Sequence, residues 1–223
     1  MTKVIRPIVF AYFLFIFFAS CKQDVSMESG KVKDTLTEYG NQHKETEVVL
    51  HTSMGNISLR LYNETPLHRA NFIRLISNQY YSDGIFYRIL DGFCVQGGNP
   101  PNMKRPDYTI PMEILPQYVH KRGALAMASE LPGVASSGTE FYIVTGTRMT
   151  QLAVDELKEN DVVLSPVQVA AYTSLGGNYS LDGHYTVFGE VVNGLDVVEK
   201  IAKVKIFDGE KPLEKITFSV EVK

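Results

Sequence analysis

The sequence predicts an all-β-dominated domain, a closed or nearly closed antiparallel barrel. Three observations carry that expectation. Short stretches of alternating apolar and polar residues recur along the 223-residue chain, punctuated by Gly, Asn and Pro. Only two segments read as dependable helices, so strands must build the core. From Thr46 to the end lie about 178 residues, enough for one domain, with no internal repeat or low-complexity tract.

The N-terminus stands apart from the fold. Residues 1–20 read as an export signal: Lys3 and Arg6 precede an unbroken apolar run over 8–19. That run falls short of the roughly 20 residues that span a bilayer as a helix. Ala19-Ser20 before Cys21 resembles a bacterial lipobox. The resemblance implies cleavage before Cys21, acylation of its thiol and a lipid-anchored protein of the bacterial cell envelope. An ordinary secretory signal with a chance cysteine is the alternative. Loss of Lys3 and Arg6 moves the formal charge from −3 to −5. A mildly acidic chain gives no electrostatic case for nucleic acid, whose phosphates are met by Lys and Arg. Cys94 is then the one cysteine outside the anchor, so no disulfide forms, and its apolar strand predicts a buried, inert thiol. Residues 21–45 hold few aliphatics and no sustained period, and read as a flexible tether.

The domain of 46–223 opens with alternation at Val48, Leu50 and Thr52, a Met54-Gly55-Asn56 turn, and alternation again at Ile57, Leu59 and Leu61. This is a hairpin pattern. Thr65-Pro66 then starts a helix, Thr as N-cap and Pro at the first helical position. Beyond Asp83-Gly84 comes FYRILDGFCVQGGNP, 86–100, a largely apolar hairpin that holds Arg88 and Gln96 in its middle. Further strands are expected at 124–129, 140–145, 186–192 and 216–222, with a short helix at 195–202. Residues 147–180 form an excursion from the barrel, partly helical, with a helix starting at Ser165-Pro166 and stopping at Gly176-Gly177.

Familiar catalytic motifs are absent from this sequence: no G-x-S-x-G, H-E-x-x-H, P-loop or paired C-x-x-C occurs. The histidines at 43, 51, 68, 120 and 184 lack metal-ligand spacing and read as solvated or structural. Four ordered segments do stand out: TPLHRANF at 65–72, FYRILDGFCVQGGN at 86–99, RGALAMAS with SSGTEFYIV over 122–144, and LDGHYTVFGEVVNGLDVVEKI at 181–201. Together they resemble the cyclophilin family over about residues 47–223. The resemblance implies an eight-stranded antiparallel barrel closed at each end by a helix, acting on X-Pro peptide bonds of unfolded or proline-containing chains. It implies no metal or cofactor, and the chain is expected to act as a monomer.

Carried over residue by residue, the family pattern makes Arg88 the catalytic donor to the prolyl nitrogen. Phe93, Cys94, Tyr142, Leu181 and Tyr185 would wall the proline pocket. Gln96 would bond the substrate backbone and brace Arg88, the backbone of Ser129 would pair with the residue before proline, and Ala128 would line the groove. Tyr87 stands where the family has His, and Ser180 where many members have an aromatic that contacts cyclosporin, which implies weak cyclosporin binding. Glu140 replaces the usual Gln near the arginine, and is expected to pair with Arg88 and to tie activity to its own titration. These departures leave a second reading, a proline-peptide binding module with little turnover.

Overall fold

The computed structural model describes residues 25–223. The stretch read as an export signal, and Cys21, lie outside the described residues. Two hairpins come first, β1 (Glu47–Thr52) with β2 (Gly55–Leu61) and β3 (Gly84–Leu90) with β4 (Cys94–Gly98). They are followed by β5 (Thr109–Pro111), β6 (Ala124–Met127), β7 (Ala135–Ser137) and β8 (Phe141–Val144). The chain ends with β9 (Val187–Asn193), β10 (Ile206–Phe207), β11 (Lys211–Pro212) and β12 (Ile216–Val222). Eight strands close into a barrel in the order β1-β12-β3-β4-β8-β6-β9-β2, and β5-β7 and β10-β11 pair outside it. Closure removes the open strand edges that would otherwise invite pairing with other chains.

The period-two patterns decide what the barrel encloses. Val48, Leu50, Ile57, Leu59, Leu61 and Phe218 are all at most 2 % exposed in one continuous core. Helix α2 (Pro66–Ser77) drives Phe72 into that core, where it meets Phe141 and Phe188 edge-on at centroid distances of 5.4 Å. Edge-to-face pairs add about 0.5–1.5 kcal/mol each beyond the area they bury. Helix α5 (Leu195–Ala202), bounded as the sequence predicts, buries Val197, Val198 and Ile201.

Two expectations need correction. The tether is one: Val25, Val32 and Leu36 belong to the main hydrophobic core cluster, and α1 (Val32–Gln42) packs along α2. Val32, Leu36 and Gly40 recur every four residues and so share one helical face. Gly40 permits the close approach, since a Cβ there would lie 3.0 Å from that of Ala70. Arg69 donates to the carbonyls of Gly40 and His43, and Arg74 to that of Val25.

The second correction is the cap of α2. Thr65 donates its hydroxyl to the Tyr62 carbonyl and makes no side-chain cap. The orphan N–H groups of Leu67 and His68 are met instead by the carboxylate of Glu113, both at 3.0 Å, and the same carboxylate lies 2.7 Å from the buried His68 Nδ1. Glu113→Ala is therefore expected to cost about 2 kcal/mol, because a helix cap and the partner of a buried imidazole go together. Chemical denaturation reads this directly; a loss below about 0.5 kcal/mol would show that neither bond matters. Glu113→Gln, which keeps an acceptor, should lose less.

The excursion contains α3 (Gln151–Glu159) and α4 (Pro166–Ser174). Helix α4 starts at a complete capping box, Ser165 with Gln168, and sinks Tyr172 into the protein.

Candidate active site

A second apolar cluster lies outside the barrel core. Cys94, Ala126, Ala128, Tyr142 and Leu181 form it, with Phe93 and Tyr185 packed at its edge. These residues alternate with interior ones along β4, β6 and β8, so they project from the outer face. Between Phe86 and Arg88 the β3–β4 register shifts. This bulge resets the alternation, so Phe86 and Ile89 stay buried while Tyr87 and Arg88 both turn outward to meet Gln96. The strand pairings then set Arg88 opposite Gln96, Gln96 opposite Tyr142, and Tyr142 opposite Ala126. One row across four adjacent strands thus explains an arginine and a glutamine in an apolar hairpin.

Arg88, Gln96 and Tyr142 of the row line a cavity of about 190 Å³, completed by Phe93, Cys94, Ala128, Ser129, Leu181 and Tyr185. Arg88 is held by three of its nitrogens. Nε and NH2 donate to the two oxygens of Glu210 at 2.7 and 3.1 Å, and NH1 donates to Gln96 Oε1 at 3.2 Å. NH1 also lies 4.0 Å from Cys94 Sγ, and the guanidinium carbon 5.8 Å from the centre of the Phe93 ring. Gln96 in turn donates to the Tyr87 hydroxyl at 2.8 Å. Burial pushes the Cys94 thiol up to about 12, so it stays protonated and apolar at the pocket wall. The main-chain N–H and C=O of Ser129, at the rim, bond to none of the described residues. A larger cavity of about 330 Å³ between 105–109 and 130–138 carries no member of the row. Among the described residues no group of three His, Cys, Asp or Glu side chains is arranged for a metal ion.

The family model for Cyclophilin type peptidyl-prolyl cis-trans isomerase/CLD matches residues 47–222. The chain belongs to the cyclophilin family. An inferred peptidyl-prolyl cis-trans isomerase of Staphylococcus saprophyticus is 31% identical over 80% of the chain and 92% of its own length. Its counterpart in Staphylococcus aureus strain USA300 is also 31% identical, over 81% of the chain and 93% of its own. A crystal structure of a cyclophilin type peptidyl-prolyl cis-trans isomerase from Cryptosporidium parvum superposes with a TM-score of 0.61 at 21% identity, covering 80% of this chain and 98% of that one. A second crystal structure of that protein, in the presence of the dipeptide Ala-Pro, gives a TM-score of 0.60. At that identity the two structures speak for the fold.

Within the cyclophilin site, the expected Glu140–Arg88 pair does not form. The turn at Gly98-Asn99 packs directly on Thr139-Glu140, and Asn99 donates its amide to Glu140. The other oxygen of Glu140 lies 3.7 Å from Arg105. Arg88's fork is occupied by Glu210, which stands in the β10–β11 turn and whose backbone carbonyl accepts from the Ile89 N–H. Tyr87 and Glu140 flank the cavity without lining it. Ser180 is exposed and bonds to Asn178. Sequence reasoning missed Glu210 because nothing local marks it: it lies 122 residues from its partner.

The pH dependence moves accordingly from Glu140 to Glu210. The Arg88 guanidinium beside Glu210 holds its carboxyl below the ordinary value of 4.5. A depressed carboxylate keeps its pairing above that ordinary value and loses it as pH falls through the lowered one. The titration of Glu210 should therefore leave the rate unchanged near neutral pH, with an acid limb only below 4.5 that Glu210→Gln removes. An acid limb unchanged in Glu210→Gln would assign it to another group.

Proposed function

We propose that this cyclophilin is an active prolyl isomerase, anchored by lipid at Cys21 in the bacterial envelope and acting as a monomer on exported chains. One observation carries the reading: a guanidinium locked on two sides lines a cavity whose other walls include Phe93, Tyr142, Leu181 and Tyr185. Rotation about an X-Pro bond is slow because amide resonance sets a barrier of about 18–20 kcal/mol. At the half-rotated state the prolyl nitrogen loses resonance and gains a basic lone pair. A donor fixed beside that nitrogen bonds it only then, which lowers the barrier without tightening the ground state. Arg88 supplies that donor through NH1, whose second N–H meets only the weak acceptor Cys94 Sγ at 4.0 Å, which a basic prolyl nitrogen would displace. Its charge persists at every working pH.

The proline ring would enter between Phe93, Tyr142, Leu181 and Tyr185, and the chain before it would pair with the open main chain of Ser129 along Ala128. Isomerisation breaks no bond, so nothing here calls for a nucleophile, a metal or a cofactor. The rival reading, a binding module with little turnover, draws support from Glu210, which shares the charge of Arg88. Exchange NMR on a proline tetrapeptide separates the two. The isomerase reading expects cis/trans exchange far above the uncatalysed rate at micromolar protein; peptide binding without acceleration would leave the module. Envelope placement is read separately, by the mass and membrane fractionation of the wild-type chain against Cys21→Ala.

A further inference from the structure

The excursion of 147–180 contains a feature that the barrel does not need. Tyr142, a wall of the cavity, is 5 % exposed, and its hydroxyl lies 3.0 Å from Nε2 of His120, itself 1 % exposed. On its far side His120 Nδ1 meets Asp182 Oδ1 at 2.7 Å, and the His120 backbone N–H donates to that same oxygen at 2.8 Å. The second oxygen of Asp182 accepts from Gln168 Nε2 at 2.7 Å and from the Tyr172 hydroxyl, both on α4. Four donors saturate the carboxylate.

The direction of the chain of bonds follows from charge. Burial holds His120 below its ordinary value, so the ring is neutral. Burial opposes ionisation of Asp182, but hydrogen bonds from His120, Tyr172 and Gln168 outweigh it and hold the carboxyl below its usual range. The one ring proton therefore sits on Nδ1, facing the carboxylate. Nε2 is left as an acceptor, and Tyr142 must donate to it. The backbone enforces the same approach. Gly177, just beyond α4, sits where a Cβ would lie 2.3 Å from the His120 carbonyl and 2.6 Å from the Tyr172 ring.

We propose that α4 is a positioning element for the proline pocket, with Tyr172 and Gln168 fixing Asp182, Asp182 fixing His120, and His120 fixing the plane of the Tyr142 ring. Asp182 also follows Leu181 directly and precedes Tyr185 by three residues, so the same carboxylate anchors the loop that carries two further walls. A ring of defined plane presents one pocket shape. A ring free to turn presents several, and the substrate must then select among them. This inference rests on the isomerase reading only for its kinetic readout.

The test is a double-mutant cycle in the otherwise intact mature chain, with Tyr172→Phe and Tyr142→Phe alone and together. KM and kcat are measured for a proline tetrapeptide, together with the peptide's Kd and the downfield imidazole N–H signal of His120. Tyr172→Phe should raise KM and Kd about fivefold with kcat within about twofold, and shift the His120 signal. In the Tyr142→Phe background, where the relay no longer reaches the pocket, the same change should do nothing further to KM or Kd. Equal losses in both backgrounds, or an unmoved His120 signal with unchanged Kd, would overturn the proposal. Gln168→Leu, which removes the other α4 donor, must repeat the pattern if Tyr172→Phe destabilises the fold. Absence of wild-type turnover would count against the isomerase reading alone, since Kd and the imidazole signal still decide the relay.

Discussion

Arg88→Ala is expected to lower kcat/KM for a proline tetrapeptide by about a hundredfold or more. Removing a preorganised donor from a developing electron pair typically lowers kcat by about 10²–10³-fold. The geometry predicts that almost all of this loss falls on the chemical step. Arg88 projects from the outer face of β3, and its side chain is 33% exposed. Its deletion leaves no buried charge behind, because the carboxylate it releases, Glu210, is 44% exposed and can be met by water. Phe93, Tyr142 and Leu181 remain to hold the ring, so the peptide's Kd should change little. Arg88→Lys should also lose most of the rate, since an ammonium cannot fill the two-oxygen fork of Glu210 and still reach Gln96. Equal rates in wild type and Arg88→Ala, both near the uncatalysed value, would sink the assignment of Arg88 and promote the binding module.

Leu36→Ala carries the largest expected effect on stability, about 2–5 kcal/mol for a fully buried leucine. For a chain of this size each kcal/mol lowers Tm by about 2–4 °C. Leu36 has no exposed surface and belongs to the main core cluster, on the α1–α2 side, whereas the cavity is cut into the separate outer one. Isomerisation below the transition should therefore be unchanged. Thermal unfolding monitored by circular dichroism checks both parts. An unaltered Tm would mean that the segment before β1 behaves as a spacer after all.

The barrel was legible because its signals are periodic and local. Alternation through Val48 to Leu61 and through Ile216 to Val222 defines strands whose inner residues are buried as read, apart from Val220 and Val222, which are only partly buried. Helix α5 kept its sequence boundaries for the same reason. Helix α1 escaped because its apolar stripe is only Val32 and Leu36 with a glycine; its stability comes from packing on α2, which propensity cannot report. The candidate site divides along similar lines. Arg88, Gln96 and Tyr142 lie in contiguous segments whose resemblance to a family could be read residue by residue. Glu210, Glu113 and Asp182 act across separations of 122, 45 and 62 residues, and no local pattern marks such partners. Glu140 shows the reverse error: it is near the row in sequence terms, yet a turn one strand away supplies Asn99 and claims it first.

Under the proposed lipid anchor at Cys21, the docking of Val25 would set how close the protein stands to the membrane. Its side chain is 2 % exposed and its carbonyl accepts from Arg74, so the chain is tied to the domain at this residue. Four peptide units separate it from Cys21, and a fully extended chain covers at most about 3.6 Å per residue. If Cys21 bears the acyl chains, the leash is no longer than about 14 Å. Such a short leash would hold the domain against the headgroups, restrict its tumbling, and favour clients that emerge at the bilayer surface over those diffusing freely beyond it.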